Sequence, residues 1–252
     1  MRTLLVIGIG AGDPTHLTLG AIDALRSSDA VIAIDKGEQK ADLLRARRRI
    51  VETHAPNVPV VTVPDAVRDR NPADYHAEVR RWHHERAGIL SDAIIRASGP
   101  DGAVAFLVWG DPSLYDSTLR IIERMREEAG LDCAVQVIPG ITALQALTAA
   151  HAITANRVGE SIHVTTGRLL PYTAAAARRN CFVMLDSGAA WNEVFGSGTY
   201  IYWGAYLGTP DQILRSGYVE NIGDEIAALK YTLRERHGWI MDTYLLRELD
   251  GE

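Results

Sequence analysis

Cysteine is nearly absent: two occur in 252 residues, Cys133 and Cys181, with no CxxC spacing around either. Neither a zinc site nor a disulfide framework is expected, and a reducing, cytoplasmic setting is the natural assumption. Long apolar runs are missing too. The opening MRTLLVIGIG stays apolar for a few residues before breaking into glycines, so it reads as a first buried strand rather than a signal peptide or a membrane span. There is no basic excess: 26 Lys and Arg against 32 Asp and Glu give a formal net charge of −6. That argues against a nucleic-acid partner, while a local Arg cluster can still serve a polyanionic small molecule. No internal repeat, low-complexity tract or Ser/Pro-rich linker is present. What remains, 47% hydrophobic and 23% charged, is a globular chain long enough for one large domain or two modest ones.

Short apolar runs at 4–9, 31–34, 60–63, 104–109 and 135–138 alternate with helical stretches at about 17–26 and 73–98. In the second of these, Val79, Trp82, Ile89, Leu90, Ala93 and Ile94 recur at helical spacing, and Arg80, Arg81, Glu85 and Arg86 form the expected solvated face. Such alternation predicts parallel βαβ units with ligands held beyond the carboxyl ends of the strands. Further strands are expected at 161–165, 181–185, 200–205, 214–219 and 239–246. The connection from Tyr206 to Leu214 is too short for a crossover helix, which predicts antiparallel pairing there. We place a boundary between residues 138 and 139, giving an N-terminal unit 1–138 and a C-terminal unit 139–252, with a ligand cleft expected between them.

Three loops follow predicted strands. Gly8-Ile9-Gly10-Ala11-Gly12-Asp13-Pro14 has the start of a dinucleotide fingerprint but carries Asp13 where the third glycine belongs. An acid at that helix N-terminus repels pyrophosphate, so a nicotinamide oxidoreductase is disfavoured. Asp13 reads instead as the cap of a helix opening at Pro14. The second loop, Trp109-Gly110-Asp111-Pro112-Ser113-Leu114-Tyr115, repeats the Gly-Asp-Pro order, so two neighbouring strands are expected to end in similar turns. The third is Ile138-Pro139-Gly140-Ile141-Thr142-Ala143, leading into an alanine-rich helix. Small residues let backbone approach a ligand closely. One such loop is an ordinary turn signal, whereas three in this order are far more specific.

In order, GIGAGDPTHLTLGA, VWGDPSLY and VIPGITALQALTAAH resemble the tetrapyrrole methylases along the whole chain, with Ala11 standing where many members have proline. The resemblance implies an α/β fold of two domains. An N-terminal five-stranded parallel sheet is flanked by helices, and a C-terminal mixed sheet carries helices of its own. It also implies S-adenosylmethionine as methyl donor, no metal or flavin, a tetrapyrrole substrate, no nucleic-acid or membrane partner, and a homodimer. The strings AIDKGEQKADL, WGDPSLYDSTLRII, ANRVGESIHVTTGR, VMLDSG, YWGAYLGTP and GWIMDTYLLRE are similar to one branch of the family. That branch acts in cobalamin synthesis, methylating precorrin-5 at C-1 with loss of acetate. Family members that methylate another ring carbon without deacetylation, and a non-catalytic tetrapyrrole-binding protein, are the alternatives.

By the same resemblance Ala11, Trp109, Gly110, Asp111, Leu114, Thr142 and Ala143 belong to the cofactor pocket, joined by Leu185, Asp186, Ala205, Tyr206 and Trp239 from the second domain. Asp111 is expected either to hydrogen-bond the cofactor or to cap the next helix. For activating water, Asp35, Tyr115 and Asp116 are the candidates, with His163 and Asp242 as further polar groups near predicted strand ends. The substrate's carboxylates call for cations, and Lys36, Arg157 and Arg168 are the candidates. Arg45, Arg47, Arg48 and Arg49 read as a solvated helix face. His83, His84 and Glu85 point in different directions on a helix and read as surface, not as a metal site. Tyr202, Trp203 and Tyr206 offer flat surface for a macrocycle, although strand alternation makes at least one of them core.

Overall fold

A computed structural model describes residues 1–35, 37, 41–67, 69, 72–194, 196 and 198–249, together with the backbone but not the side chains of 41, 42, 75 and 76. Lys36 lies outside the described residues. The chain divides into two compact units. Met1–Gly10 and Pro14–Ile141 form the first, while Ala11–Asp13 groups with the chain from Thr142 onward.

The first unit is a parallel sheet of β1 (Arg2–Gly8), β2 (Ala30–Asp35), β3 (Val60–Pro64), β4 (Ala103–Val108) and β5 (Cys133–Ile138), in the order β3-β2-β4-β1-β5. Alternation divides β1, an interior strand, between two cores. Leu4 and Val6 pack with Leu90, Ile94, Ile122 and Met125, from α3 (Tyr75–Ala97) and α4 (Thr118–Glu128). Leu5 and Ile7 pack with Ala21, Leu25, Ile50 and Val51, from α1 (Leu19–Arg26) and α2 (Ala41–His54). Both faces are covered, which is why these strands read as unbroken apolar runs.

Two expectations fail in this unit. The cap of α1 is Thr18, whose hydroxyl accepts from the Ala21 amide; Pro14–His16 forms only a 3-10 turn. A proline at 14 and a good capping threonine at 18 compete, and the later start wins because it places Ala21 and Leu25 in the core. The basic faces are not wholly solvated either. Arg86 is buried against Asp65, Nε to Oδ1 at 3.0 Å, beneath the Trp82 ring. Arg47 turns inward, its Nε and Nη1 donating to the carbonyls of Leu107 and Leu43, each at 2.9 Å.

The second unit is a mixed sheet of β6 (His163–Thr166), β7 (Asn180–Met184), β8 (Thr199–Ala205), β9 (Ile213–Tyr218) and β10 (Asp242–Glu248), ordered β6-β7-β10-β8-β9. β6 and β7 are parallel and the remaining pairs antiparallel, the short β8–β9 connection included. One face packs on α5 (Ala143–His151), with Leu147, Phe182 and Leu245 at 0% exposure and Ala11 joining them. The other packs on α7 (Val219–His237), centred on Trp191, Trp203 and Tyr244. A four-residue α6 (Ala175–Arg178) precedes β7.

Candidate functional site

In the first unit the three loops leave adjacent strands, β4, β1 and β5, and bond to one another. Gly10 and Gly110 exchange backbone hydrogen bonds, Gly110 N to Gly10 O at 2.8 Å and Gly10 N to Gly110 O at 3.3 Å. A Cβ on Gly140 would lie 2.2 Å from the Gly110 carbonyl oxygen, and one on Gly8 would lie 2.6 Å from the Gly140 nitrogen. The glycines therefore bring backbone against backbone.

Asp111 completes the lock. Its Oδ2 accepts from the Gly140 amide at 2.8 Å, and its Oδ1 accepts from the Ser113 amide and hydroxyl. Burial pushes this carboxyl up, but the bonds from Ser113 and Gly140 outweigh it and leave the group below its ordinary value. Asp111 is thus neither the cap of α4 nor free to swing; it ties the second loop to the third. Thr142 is a cap, completing a capping box with Gln145 at the start of α5, so Ala143 is the first helical residue.

Beside the lock, Tyr115 holds a left-handed backbone at φ 53° with its side chain 42% exposed. Such a conformation is costly for a bulky residue, by about 1 kcal/mol or more, and marks sites where the backbone is held for a purpose. The Nε1 of Trp109 is buried without a hydrogen-bond partner among the described residues, and Leu114 is half-buried. Of the candidate bases, Asp116 spends Oδ1 on the Thr118 amide at 2.6 Å, and Asp35, exposed at the end of β2, spends Oδ1 on the Gly37 amide at 2.9 Å. Asp116 lines a small cavity together with Arg47 and Thr118. Burial lowers the Arg47 pKa, and the charge of Asp116 works against that.

In the second unit the strand ends carry the other candidates. Leu185, just past β7, is left-handed at φ 53° and 66% exposed; Tyr206, just past β8, is left-handed at φ 50°. Ala205 pairs with Asp242 at the start of β10. The Tyr206 hydroxyl donates to the Trp239 carbonyl at 2.8 Å, with the two rings edge to face, and the Trp239 Nε1 is buried without a partner among the described residues. Exposed Arg168 follows β6 at this same end, in line with Leu185.

Arg157 and His163 do not share that end. Arg157 donates to the Glu248 carbonyl, and His163 pairs with Cys181 near the start of β7. A strand's length, roughly 15 Å, separates them from Leu185 and Ala205. Trp203 is wholly buried, whereas Tyr202 lies on the other face against the ring of His151.

Asp186 turns inward. Its carboxylate accepts from the amides of Gly188 (2.9 Å) and Ala190 (3.0 Å) and from the Tyr244 hydroxyl (2.9 Å). Lys230 of α7 donates to the Asp186 carbonyl at 3.0 Å and lies 2.9 Å from Asp242 Oδ2, which also accepts from Trp203 Nε1. The sequence reading passed over Lys230. Its signal is the spacing Val219, Gly223, Ile226, Lys230, Leu233, all buried on one helical face with a single cation in the stripe. His151 was passed over as well. Its Nε2–H donates to the Trp203 carbonyl at 3.0 Å, and burial lowers its pKa despite that bond.

Both cysteines are buried and free, with burial pushing the Cys181 thiol up to about 12. Among the described residues no cluster of His, Cys, Asp or Glu suits a metal ion, and no helix is long and apolar enough to cross a membrane.

Two parallel and mixed sheets of five strands, with interlocked glycine loops ending three neighbouring strands of the first, define a class. The chain belongs to the Tetrapyrrole (Corrin/Porphyrin) Methylases, whose family model matches residues 3–222. It is 43% identical over 250 residues to the precorrin-6A synthase [deacetylating] of a Sinorhizobium species, an alignment covering 98% of this chain and 96% of the relative. The crystal structure of a cobalamin-synthesis-related protein (CobF) from Corynebacterium diphtheriae superposes with a TM-score of 0.90 at 58% identity, covering 99% of this chain and 100% of that one. A uroporphyrin-III C-methyltransferase from Thermus thermophilus, solved with S-adenyl homocysteine, shares the fold: TM-score 0.63 at 18% identity, covering 98% and 97%.

Proposed function

We propose that this chain is an S-adenosylmethionine-dependent C-methyltransferase of cobalamin biosynthesis that converts precorrin-5 to precorrin-6A, methylating C-1 with loss of acetate. The observation that carries the cofactor is a set of residues in the loops after β4, β7 and β8 that are held in costly left-handed conformations, Tyr115, Leu185 and Tyr206. The indole nitrogens of Trp109 and of Trp239, each buried without a partner among the described residues, are donors of the kind a polar ligand group satisfies. Ala11, Trp109, Gly110, Leu114, Thr142 and Ala143 are assigned to it from the three loops, with Leu185, Ala205, Tyr206 and Trp239 from the second unit. Asp111 and Asp186 serve it through the loop backbone they hold.

S-adenosylmethionine supplies a methyl group already activated by its sulfonium. The protein's part is therefore chiefly to align and to exclude water, an effect worth roughly 7–11 kcal/mol. Deacetylation asks more. Water adds to the acetyl carbonyl, the carbon–carbon bond breaks, and its electron pair stays on C-1, which takes the methyl from the sulfonium; acetate, two protons and the neutral thioether leave. Asp116, whose Oδ1 accepts from Thr118 and which has no other hydrogen-bond partner among the described residues, is the group assigned to take the proton of that water, with Tyr115 beside it, and Asp35 is the second acid of this unit, at the end of β2. Arg168 stands at the correct end to meet a substrate carboxylate.

Incubating the protein with precorrin-5 and labelled cofactor tests the reading: methyl transfer and acetate release are expected in equal amounts. Methyl transfer without acetate means methylation at another ring carbon, and binding without turnover means a carrier. We further propose a cytoplasmic homodimer free of metal and flavin. Light scattering and metal analysis of the purified protein check the dimer and the absence of bound metal.

A further inference from the structure

Within the second unit, three ionisable groups are sealed together. Lys230 is 3% exposed, Asp186 6% and Asp242 4%, so two carboxylates face one ammonium. Each has a distinct job. Asp242 Oδ2 binds Lys230 and the Trp203 indole, linking the start of β10 to β8 and α7. Asp186 gathers its own loop through Gly188 and Ala190 and reaches β10 through Tyr244. Gly167, from the loop after β6, presses so closely that a Cβ there would lie 2.5 Å from Asp186. Among the described residues Lys230 alone pairs with both acids, and it donates to the backbone carbonyl of Asp186 as well as to Asp242. Its ammonium nitrogen also lies 5.1 Å from the centre of the Trp191 ring, within cation–π range.

We infer that Lys230 is a positioning residue for the cofactor: through the Asp186 carbonyl and Asp242 it holds the left-handed Leu185 turn in its binding conformation before ligand arrives. Leu185 itself has little to hold it, since its side chain is 66% exposed. A turn at φ 53° in a leucine persists only where its surroundings over-determine it. The network anchored on the next residue does that. This rests on the cofactor reading above, and it assigns α7, which contributes nothing to the proposed cofactor contacts, a part in binding.

Charge arithmetic supplies a clean test. In the wild type, two carboxylates and one ammonium sum to one buried negative charge; Lys230→Met combined with Asp242→Asn leaves Asp186 alone, the same sum. The double variant therefore removes the brace without burying extra charge, and its melting temperature should stay within about 5 °C of wild type. Its affinity for S-adenosylhomocysteine, by calorimetry, should fall by about tenfold, the scale on which supporting residues act at preorganised sites. Wild-type affinity in the folded double variant overturns the inference.

A second measurement needs no variant. In the ligand-free wild type, the amides of Gly188 and Ala190 should exchange slowly with deuterium; exchange at the rate of an open loop also overturns it. A wild-type protein that takes up no S-adenosylhomocysteine sinks the cofactor reading instead, which separates the two failures.

Discussion

At the scale of single residues, the charged groups that matter are those with the fewest free atoms. The carboxylate of Asp111 accepts three hydrogen bonds, and Asp111→Ala strands the Gly140 amide, at a cost of about 1–3 kcal/mol by urea unfolding. Its folded pKa lies below the ordinary value, so it contributes stability above the unfolded pKa and loses that contribution as pH falls through the folded one. The gap between wild type and Asp111→Asn should accordingly close below about pH 4. Asp242 runs the other way. Burial pushes its carboxyl up and Lys230 pulls it back, so the cost of ionising it is absent at low pH and fully present above the folded pKa. Lys230→Met alone should cost about 3–5 kcal/mol at neutral pH and much less near pH 4. A pH-independent loss in thermal melts contradicts that assignment. Neither network was legible beforehand, because nothing in GDPS or LDSG tells whether an acid faces ligand or backbone.

At the scale of elements, the sequence foretold most of what periodicity can reach. Unbroken apolar runs gave β1 and β4, since Leu4 to Ile7 and Val104 to Val108 are buried on both faces. Turn length gave the antiparallel β8–β9 pair. The long α7 escaped because Gly223 and Lys230 interrupt its buried stripe, and only the fold reveals why a glycine and a cation belong there: Gly223 meets Val219 and Trp191, and Lys230 meets two acids. The opening helix falls where its periodicity put it, but its cap is Thr18 rather than Asp13, because Pro14 imitates a first turn. For α5 the capping box is explicit, and Thr142→Ala should cost about 1 kcal/mol. Leu147→Ala, on the wholly buried face of the same helix, should cost about 2–5 kcal/mol, so chemical denaturation tells the two apart.

At the scale of the whole molecule, an acidic chain proposed to hold a polyanionic substrate must do so with a few placed cations. The sheet's polarity discriminates among them. Arg168 follows β6 at the end shared by Leu185 and Ala205, while Arg157 is tied to Glu160 and the Glu248 carbonyl at the other end. Arg168→Ala should therefore raise the KM for precorrin-5 about tenfold and weaken its salt dependence, leaving S-adenosylhomocysteine affinity intact. Arg157→Ala should leave KM where it was, and steady-state kinetics on both variants settles the comparison. The interlocked glycines carry one more implication, for how such an enzyme can be altered. Because Gly8, Gly110 and Gly140 meet backbone to backbone with no room for a methyl group, the three loops are fixed in length as well as in residue. Changes of specificity have to be made clear of these contacts, downstream of Ser113, whose amide and hydroxyl still belong to the Asp111 lock. A single residue inserted between β1 and Gly10, or between β4 and Gly110, would put these two glycines out of register and break the backbone bonds between them.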